Sequence, residues 1–350
     1  MNIALLKELC EARGVPGQEA DIRRIVRREL EALSPDSMRV DAMGNLYTTF
    51  AGESGEAIMI AAHMDEIGFI IKHIDDKGFL RLQPLGGFDP RQLFAQRVLV
   101  SQKDGEVVSG VLCYATKPPH LLSKPDEKQP EIEQFFVDTG LSAEAAKDAF
   151  EIGGMVTLDR TLAECGESLV CKSMDNRVGV FVMVEALRKL KGNRFTVVAV
   201  ATTQEEIGLR GATTAAYQVK PAIGVALDTT IAADYPGGEP EGKVTALGSG
   251  VGIKLMDGSM LSHPLLVKHM RELAETNGIP HQLEVLPRGG TDGGALQRSA
   301  NGCAGITLSI PTRYIHTVNE MVTRTDVQAA IDLLALYLAE ADASRYDWLE

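Results

Sequence analysis

The chain has 350 residues, more than the roughly 100 to 200 of a typical single domain, so a large core with a second module is expected. Hydrophobic residues make up 45% and charged residues 24%, a balance that excludes disordered and fibrous classes. The net charge of −13, with 48 acidic residues against 35 basic, argues against nucleic acid as a partner, since no basic block exceeds pairs such as Arg23-Arg24 and Arg27-Arg28.

Residues Asn2 to Ala12 and Gln18 to Leu33 carry apolar side chains at helical spacing around Gly14-Val-Pro-Gly17, which predicts two helices joined by a turn. The opening segment lacks a basic start followed by a long apolar run, and no apolar stretch reaches the ~20 residues of a membrane span, so a cytoplasmic protein with no membrane partner is expected. Val40 to Phe50, with Gly44-Asn45, reads as a hairpin leading into a buried strand, Ala57 to Ala62, which ends at His63. From Ile67 to about Glu167, short alternating segments are separated by Asp-Lys-Gly, Gly-Gly and Lys-Asp-Gly turns, an all-β texture that predicts an inserted module of about 100 residues. Lys117 to Pro130, rich in proline and charge, reads as a mobile loop.

After Glu167 the βα rhythm returns. Helices are predicted over Asp175 to Lys191, Leu209 to Tyr217, Leu261 to Asn277 and Arg324 to Ala341, and strands over Thr196 to Thr203 and Ile223 to Leu227. The alternation predicts an α/β sheet covered on both faces, whose ligands bind beyond the carboxyl ends of its strands. The five cysteines, Cys10, Cys113, Cys165, Cys171 and Cys303, are odd in number and free of CxxC spacing, so neither a disulfide framework nor a thiolate zinc site is suggested.

Polar residues collect where strands end. His63 and Asp65 follow one apolar run, Glu205 and Glu206 a second, Asp228 a third, and His316 follows Thr307-Leu-Ser-Ile310 after a short loop. Singly each has a plain explanation: Asp175 as a helix cap, Asp228 as a turn former, His316 as a hydrogen-bonded histidine. Together, two histidines and three or four carboxylates form a ligand set for a pair of divalent ions, zinc first, cobalt or manganese also suitable. Two ions need one carboxylate between them, leaving a histidine and a carboxylate for each. Adjacent residues on extended backbone point opposite ways, so one of Glu205 and Glu206 is expected to ligate while the other serves as general base to a metal-activated water. A glycosidase pair is disfavoured, because such carboxylates flank one bond about 5 to 9 Å apart. Arg288-Gly-Gly-Thr-Asp-Gly-Gly294 lacks the P-loop form and reads as a cleft-lining loop, with Arg288 or Asp292 touching substrate.

In this order, His63-Met-Asp65, Met174-Asp175-Asn-Arg177, Gln204-Glu205-Glu206-Ile-Gly208, Asp228 to Gly237 and Tyr314-Ile-His316 resemble the dinuclear-metal aminopeptidases that assemble into tetrahedral (TET) particles. This is the glutamyl and leucyl aminopeptidase family, some of whose members carry an endoglucanase label. The resemblance runs over essentially the full length. It implies a catalytic domain of the zinc-peptidase, phosphorylase/hydrolase-like fold, a mixed central sheet flanked by helices, formed by residues 1–67 and 167–350. It also implies an inserted small β-barrel, PDZ-like and dimerising, over residues 68–166. Asp175 would then bridge two ions, with His63 and Asp228 completing one site and Glu206 and His316 the other, in some order. Glu205 would be the base and Asp65 would orient His63. Dimers would build a dodecamer, with the Lys117 to Pro130 loop and its His120 reaching towards a neighbouring active site. Asn176, where another acid is frequent, and Thr317-Val-Asn-Glu320, where Ser-Pro-like residues are frequent, depart from the family wording without removing a ligand.

The reading is a cytoplasmic metalloaminopeptidase acting on short peptides with a free amino terminus. A deacylase or carboxypeptidase on the same metal site, or a non-catalytic assembly protein, are the alternatives.

Overall fold

The structure is a computed structural model that describes residues 1–117, 119–121, 129–346 and 348. At its centre lies an eight-stranded mixed sheet in the order Ser37–Val40, Leu46–Phe50, Thr196–Thr202, Ala57–His63, Ile223–Ile231, Ala304–Thr312, Val251–Met256 and His281–Val285. The four middle strands are near-continuous apolar runs because both faces are covered. In the strand Ala57–His63, Ile58, Ile60 and Ala62 enter the main core while Met59 and Ala61 pack on the opposite face, the period of two that a pleated strand imposes.

The helices Met174–Arg188 and Arg324–Glu340 lie over the first face, and Arg210–Val219 and Asp292–Arg298 over the second. Met174–Arg188 is buried almost all round, because the sheet, the helix Arg324–Glu340 and the N-terminal helix Ile3–Glu11 enclose it. The expected N-terminal helices are Ile3–Glu11 and Ala20–Glu31. Two strands of this large sheet went unpredicted, Val251–Met256 and His281–Val285.

The all-β stretch forms a closed barrel in the order Gly68–Ile74, Leu80–Leu85, Phe135–Asp138, Val107–Tyr114, Gln96–Ser101 and Met155–Leu158. Closure leaves no strand edge. Its interior is filled by Phe69, Ile71, Leu80, Val98, Val100, Leu112, Phe135, Val137 and Val156, all but fully buried, and a short helix, Ala143–Ala149, seals one side. A small sheet of Ala163–Cys165, Ser168–Cys171 and Glu320–Thr323 adjoins the main body. The expected loop from Lys117 to Pro130 falls largely outside the described residues. Among the described residues no helix is long and apolar enough to cross a membrane, and the five cysteines are free.

Candidate metal centre

Strand register brings the polar residues to one edge. Ala57–His63 runs parallel to Thr196–Thr202 with His63 opposite Thr202, so Glu205 and Glu206 emerge beside His63. On its other side Ala61 pairs with Ala226, which puts Asp228, two residues on, level with His63. Asp228 lies inside the strand Ile223–Ile231, not beyond a strand ending at Leu227 as the sequence suggests. Asp175 sits at the start of Met174–Arg188, where it and Asn176 have non-helical backbone and the peptide between them is cis. Asp175 is not the cap that its position suggests. Asn176 fills that role, accepting the Gly179 N–H at 3.1 Å and donating to the Leu227 carbonyl at 2.7 Å, beside Asp228.

Glu205 and Glu206 correct a second expectation. The strand stops at Thr202, Gln204 turns into the left-handed region at φ 55°, and the Glu205 carbonyl accepts the N–H groups of Gly208 and Leu209. The pair therefore sits in a turn, and both side chains line the cleft. Distance separates them instead: Glu206 Oε2 lies 3.4 Å from His316 Nε2, while Glu205 Oε2 is 3.9 Å from His63 Nε2.

Among the described residues three groups of donors overlap: His63–Glu205–Glu206, and two more that share Asp175. His63 Nε2 faces Asp175 Oδ1 at 3.3 Å and Asp228 Oδ1 at 3.7 Å, and His316 Nε2 faces Asp175 Oδ2 at 3.5 Å and Glu206 Oε2 at 3.4 Å. Each set, His63–Asp175–Asp228 and Asp175–Glu206–His316, offers three ligand atoms within 4.8 Å of one another. They floor a cleft of about 470 Å³ walled by Ile231, Tyr235, Leu286, Arg288 and Tyr314.

The electrostatics call for cations. Four carboxylates crowd two imidazoles, and among the described residues no lysine or arginine is ion-paired to any of them. Burial raises Glu205 well above the usual carboxylate range, with His63 opposing and Asp228 and Glu206 adding to the rise. Burial likewise raises Glu206 and Asp228. For His316 burial pulls the pKa down, but Glu206 and Asp175 outweigh it and push it up to about 12, and His63 is raised in the same way. Glu206 Oε1 is buried without a hydrogen-bond partner, an oxygen that a cation would satisfy. The residues fit divalent metal, with nitrogen and oxygen donors and no sulfur.

The surrounding shell differs in part from expectation. The His63 Nδ1 hydrogen bond goes to the Asp65 carbonyl at 3.0 Å, and the Asp65 carboxylate lies farther off at 3.6 Å. That carboxylate instead accepts the N–H groups of Glu205 at 3.0 Å and Glu206 at 3.1 Å, fixing the turn that carries them. Arg288 lines the cleft. Asp292 is buried, takes a 2.5 Å hydrogen bond from Thr202 Oγ1 and is not among the cleft-lining residues. His120, exposed on a short 3-10 turn, is not among them either.

Sequence reasoning missed Glu320, whose buried carboxylate accepts the N–H groups of Asp175 and His316. It also missed Gly86-Gly87 of the barrel, where a Cβ at Gly86 would lie 3.2 Å from Glu206 Oε2 and one at Gly87 3.3 Å from His316 Nδ1. An acid four residues after a candidate histidine, and a glycine pair unnecessary for a hairpin, were the available signals.

The family model described as M42 glutamyl aminopeptidase matches residues 44–333. An aminopeptidase structure from the archaeon Desulfurococcus kamchatkensis is similar at 38% identity and TM-score 0.94, covering 99% of this chain and 97% of that one. The lysyl aminopeptidase of Pyrococcus furiosus is 35% identical over 346 residues, 96% of each chain. The Pyrococcus horikoshii TET1 peptidase, described as able to assemble into a tetrahedron or a large octahedral shell, is similar at 31% identity and TM-score 0.85, covering 97% of this chain and 99% of that one. With a family match over most of its length and a cleft built from metal-ligand side chains, the chain belongs to the M42 aminopeptidase family and is a metal-dependent aminopeptidase, a hydrolase of peptide bonds.

Proposed function

We propose that this cleft removes the amino-terminal residue of short peptides with two divalent ions, zinc before cobalt or manganese. His63, Asp175 and Asp228 would hold one, and Asp175, Glu206 and His316 the other. The observation that carries this reading is the Asp175 carboxylate, whose two oxygens face different histidines, 3.3 Å from His63 and 3.5 Å from His316. Charge supports it: Asp175, Glu205, Glu206 and Asp228 together balance two doubly charged cations. When bound, such ions lower the pKa of water from 15.7 towards about 7 and polarise a carbonyl.

The remaining work falls to the chain's own side chains. Glu205, the carboxylate farthest from a histidine nitrogen, is the general base: an Oε takes the proton of the attacking water and delivers it to the departing amine. Its raised pKa suits a group that must carry a proton between the two steps. Asp65 keeps Glu205 aimed through its main-chain N–H. Ile231, Leu286, Tyr235 and Tyr314 offer an apolar wall to the first side chain, and Arg288 a contact at the cleft.

Residues 68–166 serve, in this reading, as a PDZ-like dimerisation module, and dimers build a tetrahedral dodecamer. The closed barrel and the assemblies described for the Pyrococcus horikoshii relative support this. Free cysteines, one of them exposed, suit the reducing cytoplasm.

A matched set of peptides tests the activity, with the amino terminus free or acetylated and the carboxyl terminus free or amidated. Release of the first residue from free-amine and amidated peptides, stopped by chelator, is expected. Turnover of the acetylated peptides would point to a deacylase, and release from the carboxyl end to a carboxypeptidase; either replaces this reading.

A further inference from the structure

Glu320 takes no part in the chemistry derived above, yet it joins two ligands of the centre. It opens the strand Glu320–Thr323 and pairs with Cys171, the last residue of the strand that leads into the Asp175 segment. Its side chain is 1% exposed. Oε2 accepts the Asp175 N–H at 2.9 Å and Oε1 accepts the His316 N–H at 2.7 Å. Among the described residues it has no ion pair. A buried carboxylate costs several kcal/mol unless its oxygens are satisfied, so these two N–H groups hold Glu320 as firmly as it holds them.

The second observation is backbone conformation. His316 stands at φ 64° and Tyr314 at φ 60°, both left-handed, a region that residues with a Cβ adopt only where the surroundings impose it. The hydrogen bond to Glu320 is made at that residue. The other donor set needs no such tie, since His63 ends one central strand and Asp228 lies within the next.

Resting on the two-ion reading, we propose that Glu320 is a positioning residue: a carboxylate clamp that sets the spacing between Asp175 and His316, and so the metal affinity of the Asp175–Glu206–His316 set. That set has two ligands on the clamp, whereas His63–Asp175–Asp228 has one. Glu320→Gln puts an NH₂ where one of two main-chain N–H groups needs an acceptor, so one ligand comes loose. Glu320→Asp keeps both oxygens on a stem one methylene shorter and should fall between.

The test is titration of the metal-free protein with zinc against a competing chelator, and with cobalt(II) followed by its visible absorption, in wild type, E320Q and E320D. Wild type is expected to bind two equivalents. In E320Q one equivalent should keep its affinity and spectrum. The other should lose about 10- to 100-fold in affinity and change its cobalt spectrum, with E320D intermediate. Thermal unfolding of the metal-free variants confirms that they fold, and if E320Q does not, E320D carries the comparison. Two equivalents bound with wild-type affinities and spectra in the variants, or parallel loss of both, would overturn the clamp while leaving the two-ion reading standing. A single equivalent in wild type would remove that reading and the clamp with it.

Discussion

The large sheet and the barrel both bury apolar cores, but they differ in buried charge. The α/β body encloses Asp65, Glu66, Lys172, Asp175, Arg177, Asp228, Lys254, Glu284, Asp292 and Glu320, whereas among the described residues from Gly68 to Leu158 the barrel buries no charge at all. Some buried charges of the body bring their own partner. Glu66 takes Lys172 Nζ at 2.6 Å, with the Arg177 guanidinium 3.5 Å away, and Lys254 pairs with Glu284. The group around Asp175 brings only histidines. Uncompensated charge is expensive in a core, so the body's other buried carboxylates are answered by hydrogen-bond donors, as Glu320 is by two N–H groups and Asp292 by Thr202, while the barrel is packed like any small apolar core.

The sharpest way to break that contrast is to alter chemistry without altering packing. Glu205→Gln keeps shape and volume and removes the base. Turnover should fall about 10²- to 10⁴-fold, while metal content, read by elemental analysis of the same sample, stays at the wild-type value. Near-normal turnover with metal in place would strip Glu205 of its role.

The barrel should respond the other way. Leu112 is fully buried within it, so Leu112→Ala is expected to cost roughly 2–5 kcal/mol of stability, measured by denaturant unfolding. Metal affinity of the folded fraction should not change. Weaker metal binding in step with lost stability would show that barrel and body form one cooperative unit.

Protons should compete with metal at the donor set of the body. In the metal-free protein burial lowers His316, but Glu206 and Asp175 raise it to about 12, far above the unfolded value near 6.5. The stability this proton contributes is complete below pH ~6.5, declines progressively as pH rises above that, and is gone above about 12. At neutral pH a metal ion must therefore displace it. Affinity should climb about tenfold per pH unit for each proton displaced. Calorimetry in buffers of different ionisation enthalpy should show proton release, and a pH-independent affinity between pH 6 and 8 would contradict the assignment.

The candidate donors were legible because most of them end or follow an apolar run, and a charged residue there is visible without coordinates. What could not be read depends on partners far away in sequence. Val251–Met256 escaped because Gly252 and Lys254 break its pattern, and Lys254 belongs in the core only once Glu284, thirty positions on, is beside it. Asn176 caps its helix while also reaching the Leu227 carbonyl, and only the second bond explains why it lies beside Asp228. The turn at Gln204 was hidden because nothing local announces a left-handed glutamine. Strand geometry was the reason for dividing Glu205 from Glu206, and the backbone that carries them is a turn, not a strand.

The seam between the two regions is where the contrast can be sharpened at smallest scale. Val318, two residues after His316, is buried in the barrel core, and Gly87 of the barrel faces the His316 ring. Gly87 does not need a positive φ, so alanine fits its backbone, but the new Cβ would stand 3.3 Å from Nδ1, tighter than an ordinary contact. Gly86 is less forgiving: at φ 93° its Cβ would also come within 2.5 Å of Ile67 Cγ2. Gly87→Ala should therefore leave the unfolding midpoint near wild type and displace the imidazole by a few tenths of an ångström, lowering metal affinity at the His316 set by up to about tenfold. Cobalt titration reads that set directly. An unchanged second equivalent would mean that His316 is positioned wholly from the body, and that the barrel's glycine pair serves only to let the two regions touch.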